Sequence, residues 1–599
     1  MSKIISLITT KKNNYPDITN EKKIYLGNWC LQNKYVADND ETVADYHWDD
    51  RNKLENDFSY VLNLSEKLAK YIGDELNKIH KIKKKDEYWK LTLQYWLITY
   101  ISSSFDLWEN LNLTLKNYNI NNVLISIGEN IEFQDLIVEN SREFSMLCTN
   151  DLWVSYLSKI IIEYIKKNNE TTIDIRLKNE TTEVNKYTAY LGPIKYKRDF
   201  VKNILTSLYI KISRFINTNN QLVTYRTRMG ILNEIKLNLK FSQIPFIFRS
   251  NFYKKKKINI QLRKNTKINY STKNNYEKFL VSNIFLFIPK EFVEDFHSIE
   301  EYIKSYFPKN PKIILSSNSL IRENIFTRYI ADMKERKSKC FYMQHGGVYG
   351  HLKLHWNEIF EKQISDKYLT WGWSNDEKEI AFGMVKKLPL KQNEINRIRT
   401  NKYIYFLRSR PRYNIKINSS VGSNQLCKYY QECLSFFKNK NLLNINKEIV
   451  ARFHEAKFDW DHEFIWKKNL QDINFSYTNT ESLRNVYLNY ELIIYSYIGT
   501  GFLESLALDK PFILISSLKE WKLRESAIED FEKLKSAKIF FETNEEAIEH
   551  LNNINANIYS WWDKKEIQLI KEEFKKKYAR YIYEKTAIGK LYNLIKKNI

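Results

Sequence analysis

The chain has 599 residues, beyond the roughly 250–300 at which a single core stops growing, so two or more domains are expected. A content of 43% hydrophobic and 15% aromatic residues argues against wholesale disorder. The formal charge of +24 leaves nucleic acid, an anionic membrane surface or phosphorylated substrates as candidate counterparts.

In chain order, KIISLITT (3–10) and KKIYLGNW (22–29) read as short strands. Residues 52–120 read as helices, with apolar side chains at three- and four-residue spacing. No signal peptide is read at MSKIISLITTKKNN. The longest uncharged stretch, 91–105, falls short of the roughly 20 apolar residues of a spanning helix, so any membrane contact is expected to be peripheral. Cys30, Cys148, Cys340, Cys427 and Cys433 form no CxxC pair, which points to a reduced, cytoplasmic setting.

From residue 276 onward an alternating pattern begins. KFLVSNIFLFIP (278–289) and PKIILSS (311–317) read as strands, 318–337 as a helix, and KCFYMQ (339–344) and DKYLTWGW (366–373) again as strands. A second series runs from KYIYFLRSR (402–410) through EIVARFHE (448–455) and ELIIYSY (491–497) to PFILISS (511–517), with helices at 424–439 and 501–508. Strands alternating with helices imply parallel sheets. The expected class is therefore α/β, two domains facing a cleft, divided as 1–375 and 376–599, with a helical insertion at about 52–250 in the first.

Several strand ends carry chemistry. In MQHGGVYGH (343–351), His345 follows a strand, and Gly346 and Gly347 permit a close or left-handed turn that clears space for substrate. A histidine so placed can take a proton from a hydroxyl, or it can serve as a hydrogen-bonded element of a structural turn. Glu358 and Asp366 are further candidate bases, though each suits a capping or salt-bridge role better; Glu361 lies nearby. His345, His351 and His355 lack an HExxH pattern or a paired-cysteine spacing, so no metal and no cofactor are expected. Ser496, Gly499, Thr500 and Gly501 join a strand to a helix start, where backbone N–H groups attract anions, and Glu504 lies one turn on, in reach of a ribose diol. The same GTG also suits a tight turn capped by threonine. Arg408, Arg410, Arg452 and His454 end neighbouring strands; arginine forks suit phosphate or carboxylate, and equally surface ion pairs.

Together YLGNWCL (25–31), YHWDDR (46–51), EYWKLTLQYWL (87–97), MQHGGVYG with ISDKYLTWGW (364–373), and YIGTGFLESLALDKPFI (497–513) resemble a family of transferases encoded in bacterial surface-polysaccharide gene clusters. More remotely, the plan is similar to GT-B glycosyltransferases, including those that use CMP-activated nonulosonic acids of the Kdo or pseudaminic acid type. The resemblance implies transfer of a sugar from a nucleotide donor, CMP favoured, to a glycan or lipid-linked glycan acceptor, without a catalytic metal. It places His345 at the catalytic position; the mechanism expected on the residues has His345 or Glu358 as base, with Gln344, Gly346 and Gly347 on substrate. It also implies that Thr500 and Gly501 hold the donor phosphate and Glu504 a donor hydroxyl. A CDP-polyol glycerophosphotransferase would use the same machinery. A non-catalytic nucleic-acid binder would exploit the charge alone, and nucleic acid is not the expected partner. YSWWDKK (559–565) and FKKKYARYIY (574–583) interleave rings with cations, which suits a peripheral contact with an anionic membrane at the inner face of the plasma membrane.

Overall fold

The computed structural model describes residues 4–11, 21–126, 131–169, 173–178, 208–210, 212–213, 221–247, 253–320, 323–390, 394, 399–413, 421–456, 458–470 and 473–599. Part of the expected helical insertion, including residues 181–207, lies outside them.

The described strands form three sheets in which every pairing is parallel. The first contains β1 (Ile4–Ile8), β2 (Glu21–Tyr25), β3 (Thr42–Val43), β4 (Asn122–Ser126) and β5 (Asp174–Lys178), in the order β3-β2-β1-β4-β5. The second contains β6 (Leu222–Tyr225), β7 (Ile313–Ser316), β8 (Lys339–Met343), β9 (Lys367–Thr370) and β10 (Glu379–Ala381), in sequential order. The third contains β11 (Lys402–Phe406), β12 (Glu448–Phe453), β13 (Phe475–Tyr477), β14 (Leu492–Tyr495), β15 (Phe512–Ile515) and β16 (Phe540–Phe541), ordered β13-β12-β11-β14-β15-β16. Counted from its own first strand that order is 3-2-1-4-5-6, the doubly wound order in which ligands lie at the carboxyl ends beside the first and fourth strands.

The expected α/β class therefore holds, with a correction to the first third. It is more than helices over a small strand framework, since it owns a five-stranded parallel sheet. Its two long helices, Arg51–His80 and Asp86–Asn117, pack on each other. Asp50 caps the first by accepting from the N–H groups of Asn52 and Lys53. The second is buried along most of its length, which is why its apolar residues blur any single stripe.

A second correction concerns 278–289, read as a strand. Asn275–Phe287 is a helix whose cap, Asn274, accepts from Glu277 N–H. Tyr276, Phe279, Leu280, Ile284 and Phe287 are buried at helical spacing, and an added Phe285 makes the run look alternating.

Alternation does identify the second sheet. Cys340 and Tyr342 of β8 join the main core, which is continuous with the first and third sheets, whereas Phe341 and Met343 join a smaller core on the other face. That smaller core is completed by Ile588, Leu591 and Ile595 of the C-terminal helix Glu584–Asn598. The chain end thus returns to the second sheet. Met384 N–H donates to Arg580 O (2.6 Å), and Arg580 N–H to Trp371 O (3.0 Å).

Most aromatic residues of 559–583 are buried, whereas Tyr583 is 66% exposed. Trp561 is 6% and Trp562 1% exposed, and Phe574 and Tyr578 are buried with them. The Trp561 and Trp562 indoles donate inward, to Ala537 O (3.0 Å) and Asp509 Oδ1 (3.1 Å), so the rings between the lysines are core. Among the described residues no helix is long and apolar enough to cross a membrane.

Candidate active site

The carboxyl ends of β8, β11, β12 and β14 open on one cavity of about 590 Å³ between the second and third sheets. Ten of the residues singled out from the sequence line it: His345, Gly346, Gly347, Arg408, Arg410, Arg452, His454, Gly499, Thr500 and Gly501. Four others lie behind its walls, and what each does there is specific.

Gln344 joins the QHGG and TWGW segments. Its side-chain oxygen accepts from Trp371 N–H (2.8 Å) and Trp373 Nε1–H (3.0 Å), while its amide donates to Gly346 O (2.9 Å). The QHGG loop and the TWGW turn are thus one hydrogen-bonded unit. Gly350 in this unit has φ +82°, and a Cβ there would come within 2.5 Å of the Trp373 indole nitrogen. Gly346 and Gly347, by contrast, do not adopt the left-handed conformation anticipated for them. Gly347 is needed for a close approach to protein rather than to substrate. Its N–H donates to Thr500 Oγ1 (3.0 Å), and a Cβ would meet Thr500 Cα at 2.5 Å and Gly499 O at 2.6 Å.

That contact seats the histidine loop against the start of the helix Thr500–Ala507, whose N-cap is Gly499. No side chain caps this helix, and Gly499, Thr500 and Gly501 line the cavity, so the positive end of the helix dipole borders it, a setting that favours an anion. Gly501 packs flat on the Tyr495 ring. Ser496 is a brace: it donates to Phe406 O (2.7 Å) and shares a hydrogen bond with Tyr429 (2.6 Å), tying β14 to β11. Glu504 is buried and paired with Lys386, and neither residue lines the cavity.

The arginines differ in kind. Arg408 is buried, with its guanidinium over the Trp521 ring at 4.4 Å and its backbone held by Tyr429 and Tyr430 hydroxyls. Burial, and secondly the charge of Arg410, push its pKa down to about 9, so a cation is costly here and an anion beside it is favoured. Arg410 reaches solvent within the cleft. Arg452 is committed elsewhere, donating to Ser476 Oγ (2.8 Å) and Glu481 O (2.7 Å). His454 is exposed, and its Nδ1 accepts from Ala456 N–H (3.0 Å).

His345 is supported by a residue that sequence reasoning named without a role. Glu361, on the helix Trp356–Ile364 that links β8 to β9, is fully buried with Oε1 3.4 Å from His345 Nδ1. Its two oxygens accept from Tyr349 and Tyr368 hydroxyls, each at 3.0 Å, and Tyr349 OH also lies 3.3 Å from the imidazole. Burial raises the Glu361 pKa well above the usual carboxylate range, which its two tyrosine donors only partly offset. Glu358, one turn earlier, is not brought to the cavity. It accepts from Gly350 N–H (3.0 Å) and pairs with Arg524 (2.6 Å), so it fixes the loop. Asp366 accepts from Cys340 N–H (2.6 Å) and pairs with Lys334 at the opposite end of β8.

His351 lies outside the lining too, caged by Phe502, Phe531 and Tyr578. Burial lowers its pKa to about 3, so it is neutral. Among the described residues no three His, Cys, Asp or Glu side chains are grouped to hold a metal ion. His355, Asn357, Tyr497, Thr478 and Trp521 also line the cavity; Asn357 and Trp521 had no distinguishing signal in the sequence.

Three parallel sheets, with a cavity at the switch point of the third, define an α/β protein of the doubly wound kind. The chain belongs to the LIC12162 family transferases, whose family model matches residues 5–588. No curated protein matches it. Solved structures to which it is similar include MurG of Acinetobacter baumannii, at 12% identity over 50% of this chain and 77% of that one, TM-score 0.29. Others are the glycosyltransferase SnogD of Streptomyces nogalater (8% identity, 60% and 89% covered, TM-score 0.31) and a mutant O-GlcNAc transferase of Thermobaculum terrenum (9% identity, 88% and 97% covered, TM-score 0.31). Likenesses this weak carry no argument about activity.

Proposed function

We propose that the chain is a glycosyltransferase of GT-B plan that moves a sugar from a nucleotide donor to a hydroxyl of a surface-glycan acceptor, with CMP-activated acidic sugars the favoured donors. One observation carries the reading: a histidine backed by Glu361 and an uncapped helix N-terminus flanked by two arginines line the same cavity from opposite sheets. In this reading residues 1–375 are the acceptor side and 376–599 the donor side, with the C-terminal helix packed back on the former.

His345, its Nδ1 held toward Glu361, takes the proton of the attacking hydroxyl at Nε2, and Glu361, on the Nδ1 side of the ring, fixes the tautomer that leaves Nε2 free to do so. As the acceptor oxygen bonds to the anomeric carbon, the bond to the donor phosphate oxygen breaks and its electron pair leaves with the nucleotide. The N–H groups at Gly499–Gly501, with Arg408 and Arg410, stabilise that departing charge. An acidic donor sugar would find a second cation in the same pair. Arg452, Ser496 and Glu504 act as framework, and Glu358 fixes the loop that carries His345. Work at a lipid-linked acceptor on the cytoplasmic side of the membrane fits this chemistry.

The test is a thermal-shift screen of the full chain with CMP, CDP, UDP and GDP, followed by donor hydrolysis. At least one nucleotide is expected to raise Tm, and Arg408→Ala to abolish that rise. No stabilisation by any nucleotide would overturn the reading.

A further inference from the structure

On the second-sheet wall of the cavity stand two polar side chains that the transfer chemistry does not use. His355 is the N-cap residue of the helix Trp356–Ile364 and Asn357 lies in its first turn. Both line the cavity, at 4% and 9% exposure. Neither His355 Nδ1 nor Asn357 Oδ1 has a hydrogen-bond partner. A buried amide or imidazole atom left unpaired costs stability, and a protein interior normally satisfies it. Two such atoms on adjacent positions of one cavity wall call for a partner that comes with the ligand.

The chemistry of that partner is narrow. The Tyr349 ring is wedged between His345 and His355, with centroids 5.2 and 4.5 Å away, so the two imidazoles share one wall. Burial, reinforced by His345 and the nearby Arg524, holds the His355 pKa well below its ordinary value and keeps the ring neutral. A neutral imidazole and a primary amide each offer one acceptor and at least one donor, the pattern met by vicinal hydroxyls. The arginines and helix N-terminus that suit anions belong to the opposite wall.

We propose that His355 and Asn357 form a subsite for the hydroxyl groups of an uncharged polyol face, the ring of the transferred sugar or of the acceptor glycan. This rests on the transferase reading and adds to it the residues that recognise the saccharide. The cavity is thereby divided, an anion-binding wall on the third sheet and a hydroxyl-binding wall on the second.

Calorimetric titrations of the full chain and of Asn357→Leu and His355→Phe test it, with three ligand groups: CMP, CDP, UDP and GDP; CMP-N-acetylneuraminate, UDP-N-acetylglucosamine and GDP-mannose; and free glucose, galactose and N-acetylglucosamine. Both variants should bind nucleotides within about twofold of wild type. They should lose about tenfold in affinity, the scale of one or two good hydrogen bonds, for a saccharide-bearing ligand. Loss confined to nucleotide sugars assigns the donor ring, and loss confined to free sugars the acceptor ring. Asn357→Leu should also leave Tm unchanged or raised, because it removes an unpaired buried amide; a structural role would lower it. Unchanged affinity for every saccharide-bearing ligand, no wild-type preference for any of them, or a lowered Tm with nucleotide and saccharide affinity lost together would each overturn the subsite alone. Failure of every nucleotide to bind wild type would overturn the transferase reading and the subsite with it.

Discussion

At the scale of single residues, the unit that distinguishes this cavity is His345 with Glu361 behind it. Replacing His345 by Ala should cost about 10²–10⁴-fold in kcat, the usual range for a general base, with nucleotide affinity retained. Glu361→Gln keeps the side chain's volume but replaces one of the two oxygens that accept from Tyr349 and Tyr368 with an amide donor, which disturbs the contact that sets the His345 tautomer. It should lower kcat with little change in KM and shift the pH–rate profile, whereas a merely structural role would lower Tm without moving the profile. His351 permits a prediction of opposite character. Its folded pKa of about 3 lies below the ordinary value near 6.5, so between those limits the unfolded chain binds the extra proton. Stability contributed by the neutral ring is complete above pH 6.5 and is lost as pH falls toward 3. In His351→Phe, which keeps the aromatic cage filled, the slope of unfolding free energy against pH in that window should flatten by up to about 1.4 kcal/mol per pH unit, one proton's worth. An unchanged slope in chemical denaturation at pH 4, 5 and 6 would remove His351 from the acid sensitivity of the fold. Residue roles were the least legible part of the sequence. His345 and the GTG stretch stood out because glycine is scarce and each follows an apolar strand. Nothing local distinguished Glu361 from Glu358, because which carboxylate meets His345 depends on how the helix 356–364 rolls against β8 and β9.

At the scale of elements, two loops from different sheets are fitted to each other before any ligand enters. Gly347→Ala would drive a methyl group into the backbone of Gly499 and Thr500, so the histidine loop and the helix start would have to separate. The backbone contacts are rigid, so the expected cost is about 1–3 kcal/mol of stability from overpacking, together with loss of nucleotide-induced stabilisation. Differential scanning calorimetry with and without the best nucleotide separates the two effects; full retention of the nucleotide shift would show that the close approach is dispensable. Gln344→Ala acts on the same unit from behind, leaving Trp371 N–H and Trp373 Nε1–H without their acceptor. Elements were legible wherever burial has one face. The strands around 313–316, 339–343, 402–406 and 492–495 announced themselves as apolar runs, the last three followed within a few residues by Gly, Arg or His. The helix Asn275–Phe287 misled because it is buried on several faces, and period then cannot separate helix from strand. The burial of Trp561, Trp562, Phe574 and Tyr578 was hidden similarly, since alternation of rings and lysines does not say which side of a helix meets the core.

At the scale of the whole molecule, the first sheet is the part with no counterpart in the expected two-domain plan, and Arg412 shows what it is attached to. This buried arginine follows β11 and the cavity arginines, yet it turns away from the cavity. Its guanidinium donates to Trp29 O and Leu31 O in the YLGNWCL segment and stacks over Trp460 at 4.8 Å. Asn28 and Asn424 meet in the same interface at 2.8 Å, and Asp49 of YHWDDR accepts from Gln425 (2.7 Å) and pairs with Lys428 (2.9 Å). The two N-terminal motifs are therefore docking surfaces that fix the loop after β11, and through it Arg408 and Arg410, rather than parts of the cavity. Arg412→Met preserves length and apolar bulk but leaves two buried carbonyls without donors, a cost of roughly 2–5 kcal/mol. Because the loss falls on the joint, hydrogen exchange should rise first in residues 21–50 and 421–430, and nucleotide affinity should fall even though Arg412 lines no part of the site. Faster exchange spread evenly over all three sheets would mean that the arginine stabilises the molecule as a whole. Unchanged nucleotide affinity would mean that the first sheet serves something other than the geometry of the anion-binding wall.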